Sequence, residues 1–283
     1  MAVSAFPGMT RFFPSIVLPE DGGSGSGSIV IDFKPAGRED LSKSLTIPLL
    51  PKTDGLEVLQ YAMHDSSTSA FKMPEEYNSW FSSCFGYDVV LAYLGKNLRD
   101  VLFEDLKPQK SGSWLSSLSS MVPSWTASES PKITFADCAP FLVVSKTSLG
   151  DVSSRLPEGQ EMDITKFRPN IVIEGAESAW EEDFWGKIDV NGIEFALLHN
   201  CVRCKSINID YSTGQPGTGE SGAVLKKMQK DRRVDTGAKW SPVFGRYTFW
   251  ASKEQARTLR VGDEVSVTQT NAERTTWTWK GFG

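Results

Sequence analysis

The chain has 283 residues, 40% hydrophobic and 23% charged, the balance of a folded globular protein with room for one large domain or two small ones. Its formal charge of −5 gives no basic footprint for nucleic acid, and no apolar run reaches the roughly 18–20 residues that would span a bilayer. Four cysteines, Cys84, Cys138, Cys201 and Cys204, are too few for a disulfide scaffold and read as reduced thiols in an intracellular protein, cytoplasmic or mitochondrial. The first eight residues show no charged region followed by an apolar core, so no signal peptide is expected there.

In chain order, the pattern predicts strands over Phe12–Leu18 and Ile29–Phe33, joined by a flexible tip reading GGSGSGS at residues 22–28. Two more strands are predicted over Leu45–Leu50 and Leu56–Tyr61. From Pro74 to Phe85 the sequence PEEYNSWFSSCF predicts a helix. Pro74 suits its first turn, and Glu75 and Glu76 complement the helix dipole there. Tyr77, Trp80, Phe81, Cys84 and Phe85 share one face at three-and-four spacing, as core packing requires. Asp88–Leu94 reads as an apolar strand. Lys107–Lys132 is rich in Ser and Pro and is expected to be a mobile loop at a domain boundary. Within it, Trp114, Leu115, Leu118 and Met121 also fit one face of a short amphipathic helix for a membrane surface or a partner.

Beyond that boundary the pattern predicts a buried strand over Phe141–Val144 and a helix over Thr147–Leu156. A strand over Ile171–Glu174 and an acidic, tryptophan-rich turn or helix over Trp180–Trp185 follow. Lys187–Val190 and Ile193–Leu198 flank Asn191-Gly192, the preferred pair for a type I′ hairpin. A strand-like run follows Cys204, then a helix over Gly219–Arg232 with Val224, Leu225 and Met228 on one face and Lys226, Lys227 and Lys230 on another. Tyr247–Ala251 and Val261–Thr268 are late strands. Many short strands with few helices favour a β-rich α+β domain or a barrel.

Two segments carry candidate chemistry. Asn200–Asp210 places the thiols of Cys201 and Cys204 beside Arg203, at the head of an alternating run. A thiolate is a soft metal ligand, and a neighbouring guanidinium lowers a thiol's pKa and can fork onto phosphate. Buried core thiols are the plain alternative. A zinc site would have to recruit His199, His64, Cys84 or Cys138, with no second Cys-x-x-Cys pair in the sequence. A thioredoxin-like pair opens a helix, whereas Ser206–Asp210 alternates like a strand. A hydrolase would need His64 or His199, neither in a recognisable signature, and no dinucleotide fingerprint or P-loop occurs. The second segment, Lys166–Ile173, sets Arg168 and Asn170 around Pro169 just before a strand. There the arginine can meet a phosphate and the amide a heterocycle. An arginine paired with a local carboxylate and an asparagine capping a turn explain the same residues.

Taken in series, FADCAPF at 135–141, FRPNI at 167–171, CVRC at 201–204, PVFGRY at 242–247 and VGDEV at 261–265 resemble the MOSC domain. More closely, the chain resembles the mitochondrial amidoxime-reducing component family and its fungal relatives, over about residues 130–270. Residues 12–105 resemble the later part of the β-rich domain that precedes MOSC there. The resemblance implies an α+β, β-rich fold: a MOSC-type β-barrel with peripheral helices after a partial N-terminal β-rich domain. The implied boundaries are 1–106, a linker at 107–131, MOSC at 132–270 and a tail at 271–283.

The resemblance also implies a molybdenum-molybdopterin cofactor, with the metal and the catalysis on Cys204. Val202 and Arg203 would contact that cofactor. Arg168 and Asn170 match the family's pterin and phosphate contacts. Cys138 and Ala139 fall where the family uses a small polar pair, and Tyr247 matches an aromatic at the pocket rim. The implied activity is reduction of N-hydroxylated or similar N–O small-molecule substrates. Electrons would come from a partner redox protein of cytochrome b5 type, without nucleic acid or a transmembrane segment. A sulfur carrier or transferase like the MOSC domain of molybdenum-cofactor sulfurases is the rival, with pyridoxal phosphate as a family-level association. A non-catalytic cofactor-binding remnant is the third. Family members open with a Tyr-Pro-x-Lys-Ser strand that has no counterpart here, so the chain is expected to lack the start of its N-terminal domain.

Overall fold

The computed structural model describes residues 2–19, 26–107, 130–251 and 257–280. Most of the glycine-rich tip and the amphipathic face at 114–121 lie outside those residues.

Strands β1 (Phe12–Val17), β2 (Ser28–Phe33) and β3 (Lys43–Pro48) form an antiparallel meander, with β1 and β2 flanking the glycine-rich tip as expected. A second meander joins β4 (Val58–Met63), β5 (Ser66–Lys72) and β6 (Ala92–Tyr93). Its first turn is made by His64 and Asp65, both with left-handed backbone. Between β5 and β6 the chain forms helix α1 (Glu75–Phe85), entered through Pro74 and closed by Gly86 at φ 78°. Tyr77, Trp80 and Phe81 of α1 pack against Ile31, Ile47 and Met73, as their spacing requires.

The strand expected over Asp88–Leu94 contracts to the two residues of β6. Asn78, buried on α1, takes the Leu91 N–H on its Oδ1 at 2.8 Å. The Met73 N–H reaches the Leu91 carbonyl at 2.9 Å. The apolar side chains of this stretch therefore pack on α1 while its backbone is satisfied without a long ladder.

Strand β7 (Arg99–Asp100) pairs with β8 (Lys132–Ile133). The main sheet follows, built from β9 (Phe141–Ser145), β10 (Ile171–Ile173), β11 (Trp185–Val190) and β12 (Ile193–Val202). After the short pair β13 (Ile209–Asp210) and β14 (Gln215–Pro216) come its last strands, β15 (Val243–Trp250) and β16 (Val265–Thr270). The six run in the order β10-β9-β15-β12-β11-β16, an open, curled half-barrel. Only β9 and β10 are parallel among these pairs, and helix α2 (Lys146–Ser154), capped by Ser145 Oγ on the Thr147 N–H, connects them. Asn191 and Gly192, with φ of 50° and 82°, make the expected hairpin between β11 and β12. Gly245 is required in β15: at φ 83°, a Cβ there would lie 2.8 Å from the Val143 carbonyl of β9.

One face of the sheet buries Val144, Phe244 and Phe249 together with Val101, Phe103, Leu106, Trp277 and Trp279. The other buries Ile188, Phe195 and Leu197. The fold class is thus β-rich α+β, as the sequence implied.

Two local expectations are corrected. Ser206–Asp210 is not a strand: Lys205–Asn208 form a 3-10 turn and only Ile209–Asp210 pair, in β13. Ile207 and Ile209 are both buried, so the alternation is real, but Asn208 Oδ1 takes the Leu225 N–H at 3.0 Å and its carbonyl takes the Gly217 N–H. Those bonds hold the turn and withdraw it from a ladder. The helix expected over Gly219–Arg232 shortens to α3 (Val224–Met228), preceded by a 3-10 turn at Ser221–Ala223. Its apolar face of Val224, Leu225 and Met228 is buried as read.

Candidate functional site

The edge of the half-barrel where β12 ends positions the site. Pairing between β12 and β15 slips between Leu197 and His199 and again between Asn200 and Val202. Such bulges twist a strand and re-aim its side chains. The chain leaves the ladder at Val202, and Cys204 then caps the 3-10 turn. Cys201 is consequently buried and Cys204 exposed, although they are three residues apart. Cys204 Sγ lies 3.3 Å from Ser206 Oγ. Among the described residues no group of three or more His, Cys, Asp or Glu could hold a metal ion.

Arg203 points inward. Its Nε and Nη2 donate to the Phe244 carbonyl at 2.9 and 2.5 Å, and Nη1 donates to the Phe167 carbonyl at 2.9 Å. The guanidinium also lies 5.1 and 5.7 Å from the Phe167 and Phe244 ring centroids. It joins the turn before β10 to β15, and its side chain is 8% exposed as a residue.

Arg168 ends the 3-10 turn Ile164–Phe167 in left-handed conformation, φ 55°, and reaches the surface. Its Nη2 bonds Asp137 Oδ2, and His64 Nε2 lies 3.6 Å from Asp137 Oδ1. Burial alone would raise the Asp137 carboxyl. The hydrogen bond from His64 and the charges of Arg168 and His64 outweigh it and hold the group below its ordinary range. Asn170 Oδ1 accepts the Leu142 N–H at 2.8 Å, and the Asn170 N–H returns to the Leu142 carbonyl at 2.9 Å. Asn170 therefore clasps the start of β9.

Behind this surface, Tyr247 is buried between the thiols of Cys138 and Cys201. Burial, and then the charge of Cys201, push both the phenol and Cys138 far up; burial likewise raises Cys201. All three are held neutral. Ala139 is buried beside them in the same core. Tyr211 shares its surroundings with both Arg168 and Cys204, whose charges act on its phenol in opposite directions after the dominant effect of burial. The structure thus gathers Cys204, Tyr211, Arg168 and Asp137 on one side, with Cys138, Cys201 and Tyr247 beneath. His199, the other histidine, is buried against Phe103, ring centroids 3.8 Å apart, with Nε2 3.1 Å from Asp105 Oδ2. A shallow cleft lined by Phe184, Val234, Thr236 and Arg274 holds none of these residues.

Comparison with known proteins gives this geometry its context. Residues 130–266 match the MOSC domain family. This part of the chain is similar to MOSC domains. Relatives over the same half of the chain include mitochondrial amidoxime reducing component 2 of Rattus norvegicus, 34% identical over 51% of this chain and 41% of that protein. Mitochondrial amidoxime-reducing component 1 of Homo sapiens is 34% identical over 47% of this chain and 38% of its own length. The molybdenum cofactor sulfurase of Oryza sativa subsp. japonica is 34% identical over 30% of this chain and 11% of that protein. The chain spans about two fifths of the length of the amidoxime-reducing relatives it matches.

All the residues singled out from the sequence, Cys138, Ala139, Arg168, Asn170, Val202, Arg203, Cys204 and Tyr247, fall inside the MOSC match. The sequence reading missed the residues outside it that hold the site. Arg99 of β7 is buried and donates to the carbonyls of Thr134 (3.0 Å), Met63 (3.3 Å), Ala136 and Asp137, fixing the loop that carries Asp137 and Cys138. Arg11 donates to the carbonyls of Tyr211 (3.0 Å) and Ser212 (2.6 Å). His64 meets Asp137. No local pattern marks Arg99 or Arg11, and the sequence names His64 only as a zinc or hydrolase candidate, because each works through a partner more than thirty residues away.

Proposed function

We propose that this chain holds a molybdenum cofactor at the edge of its MOSC domain, with Cys204 as the protein ligand to the metal. The observation that carries the reading is the exposure of Cys204 alone among four cysteines, just past the bulged end of β12 and close to Tyr211, whose phenol Arg168 also influences. The donor set fits the group: one accessible soft thiol, a surface guanidinium for an anionic tail, and two further thiols kept neutral by burial. When bound, the metal would supply two-electron redox chemistry, which no side chain here provides. The chain's own residues bind and orient. Cys204 anchors, Ser206 supports the sulfur, Arg168 meets the anionic end, and Val202, Arg203, Asn170, Cys138, Ala139 and Tyr247 hold the walls in place. Reduction of N-hydroxylated substrates with electrons from a cytochrome b5-type partner, in mitochondria, belongs to this reading. The names of the amidoxime-reducing relatives support it. The rice relative's name favours a second reading, a sulfur-handling MOSC protein, and an N–O reduction assay separates the two.

The test is molybdenum content by mass spectrometry on purified protein. Cys204→Ser is expected to lose the metal and Cys201→Ser to keep most of it, because the two thiols face different surroundings. Equal loss in both variants, or no molybdenum in any form, overturns the reading.

A further inference from the structure

The segment from Lys226 to Trp240 carries six cations and two carboxylates, in a chain of net charge −5. Two of the cations are engaged: Lys227 pairs with Glu220 and buried Arg232 with Asp183. Both carboxylates are engaged as well, Asp231 by Arg155 and buried Asp235 by Asn200 and the Gly237 and Trp277 N–H groups. Lys226, Lys230, Arg233 and Lys239 remain, all exposed and none in an ion pair among the described residues. Trp240 closes the segment. It is 70% exposed, the one exposed tryptophan among the described residues. Its carbonyl takes Gln229 Nε2 at 3.3 Å, which ties it to the end of α3. An indole in water keeps a large apolar area unburied, and such side chains dominate binding when a partner covers them.

This patch borders the turn that bears Cys204. The Arg203 N–H reaches the Pro242 carbonyl at 2.8 Å, and Trp240 lies two residues before Pro242, at most about 7 Å of backbone. From α3 the Leu225 N–H reaches Asn208, in the 3-10 turn capped by Cys204, at 3.0 Å. The apolar face of α3 is buried, so the surface offers charge around one aromatic anchor and no apolar helix face to sink into lipid.

We propose that Trp240 with Lys226, Lys230, Arg233 and Lys239 forms the docking surface for an acidic electron-donor protein. This rests on the reading of Cys204 as the ligand to a redox group and says where the donor meets the chain. A donor must approach the group it reduces, and this is the charged surface tied to the Cys204 turn. Charge complementarity sets the partner's chemistry: a carboxylate-rich face with an apolar spot for the indole. Two electrons from a one-electron carrier take two docking events per turnover, the donor being oxidised and the substrate reduced. A small, rapidly exchanging contact steered by charge suits that task.

Titration calorimetry of the purified full chain tests this, with the soluble domain of an acidic cytochrome b5 as probe and a basic cytochrome c as control. Binding of the first and not the second is expected at about 20 mM salt. At about 300 mM, where the screening length falls from roughly 20 to 6 Å, a loss of at least about tenfold is expected. Trp240→Ala is expected to weaken binding about tenfold, and Lys230→Glu and Arg233→Glu about fivefold each. Lys52→Glu, the same charge change at an exposed site before β4, is expected to leave it unchanged. No binding by the wild type, equal affinity in Trp240→Ala and Lys230→Glu, or an equal loss in Lys52→Glu overturns the proposal. Binding to phosphatidylserine vesicles in preference to the cytochrome assigns the patch to a lipid surface and also overturns it. Molybdenum content reads the cofactor independently. Molybdenum in a protein that does not bind the probe sinks the docking surface alone, and variant-sensitive binding without molybdenum sinks the cofactor reading alone.

Discussion

Truncating Arg203 to alanine is expected to destabilise the protein by about 3–5 kcal/mol. The guanidinium makes three hydrogen bonds to the carbonyls of Phe167 and Phe244, residues that are 1% and 0% exposed. A hydrogen bond to a charged group contributes roughly 1.5–3 kcal/mol, and removing the donor leaves buried acceptors unpaired. Two orphaned carbonyls set a floor of about 3 kcal/mol, while partial entry of water keeps the total below the sum of three bonds. Set against a domain stability of about 5–15 kcal/mol, that is a large share. Urea unfolding followed by the fluorescence of the nine tryptophans measures it. Arg203→Lys keeps a charge but cannot fork onto both carbonyls, so about half the loss is expected. An alanine variant within about 1 kcal/mol of wild type, at unchanged m-value, refutes the role of Arg203 as the tie between β15 and the turn before β10.

Iodoacetamide should label Cys204 first and Cys84 more slowly, and should reach Cys138 and Cys201 only after unfolding, since burial raises both and hides them; peptide mapping that finds Cys201 labelled in the native state contradicts the geometry. Glu182 is fully buried, with Oε2 2.7 Å from Ser148 Oγ, Oε1 without a partner, and its carboxyl raised chiefly by burial. Its folded pKa lies above the unfolded value near 4.5, so stability from this group is present below pH 4.5 and is lost as pH rises through the folded value. Glu182→Gln should therefore be more stable than wild type at neutral pH, with the gain shrinking toward pH 4.5; a gain independent of pH from 4 to 8 would contradict it. Gly245→Ala should cost about 2–5 kcal/mol in urea unfolding, from overpacking against β9 and a disfavoured φ, and a variant as stable as wild type would deny that close approach.

The elements read best from sequence are those whose signal is local. Asn191-Gly192 specifies its hairpin, and the apolar face of Tyr77, Trp80 and Phe81 specifies α1. The failures are places where a distant partner decides. Asn208 and Asn78 divert backbone donors away from the expected ladders at Ser206–Asp210 and Asp88–Leu94. The inward turn of Arg203 depends on the carbonyls of Phe167 and Phe244, and nothing in Cys-x-x-Cys spacing states it. The burial of Tyr247, expected at a rim, follows from β15 lying between β9 and β12 in the sheet. Arg99, and the pairing of His64 with Asp137, were illegible for the same reason, since both have partners on the loop 134–137.

The aromatic set around Phe103 has a consequence for synthesis on the ribosome. Phe103 stacks on His199 and meets the rings of Trp277 and Trp279 at 5.0 and 5.2 Å, and Trp279 Nε1 returns to the His64 carbonyl at 3.1 Å. Val101, Phe103 and Leu106 emerge early, yet Trp277 and Trp279 are translated more than 170 residues later. Until Trp279 clears the exit tunnel these side chains lack part of their native cover, so the nascent chain carries an exposed apolar patch for roughly ten to thirty seconds at ordinary elongation rates. Production of this protein should accordingly depend on holdase chaperones during translation, and slowing elongation between residues 106 and 277 should lower the soluble yield.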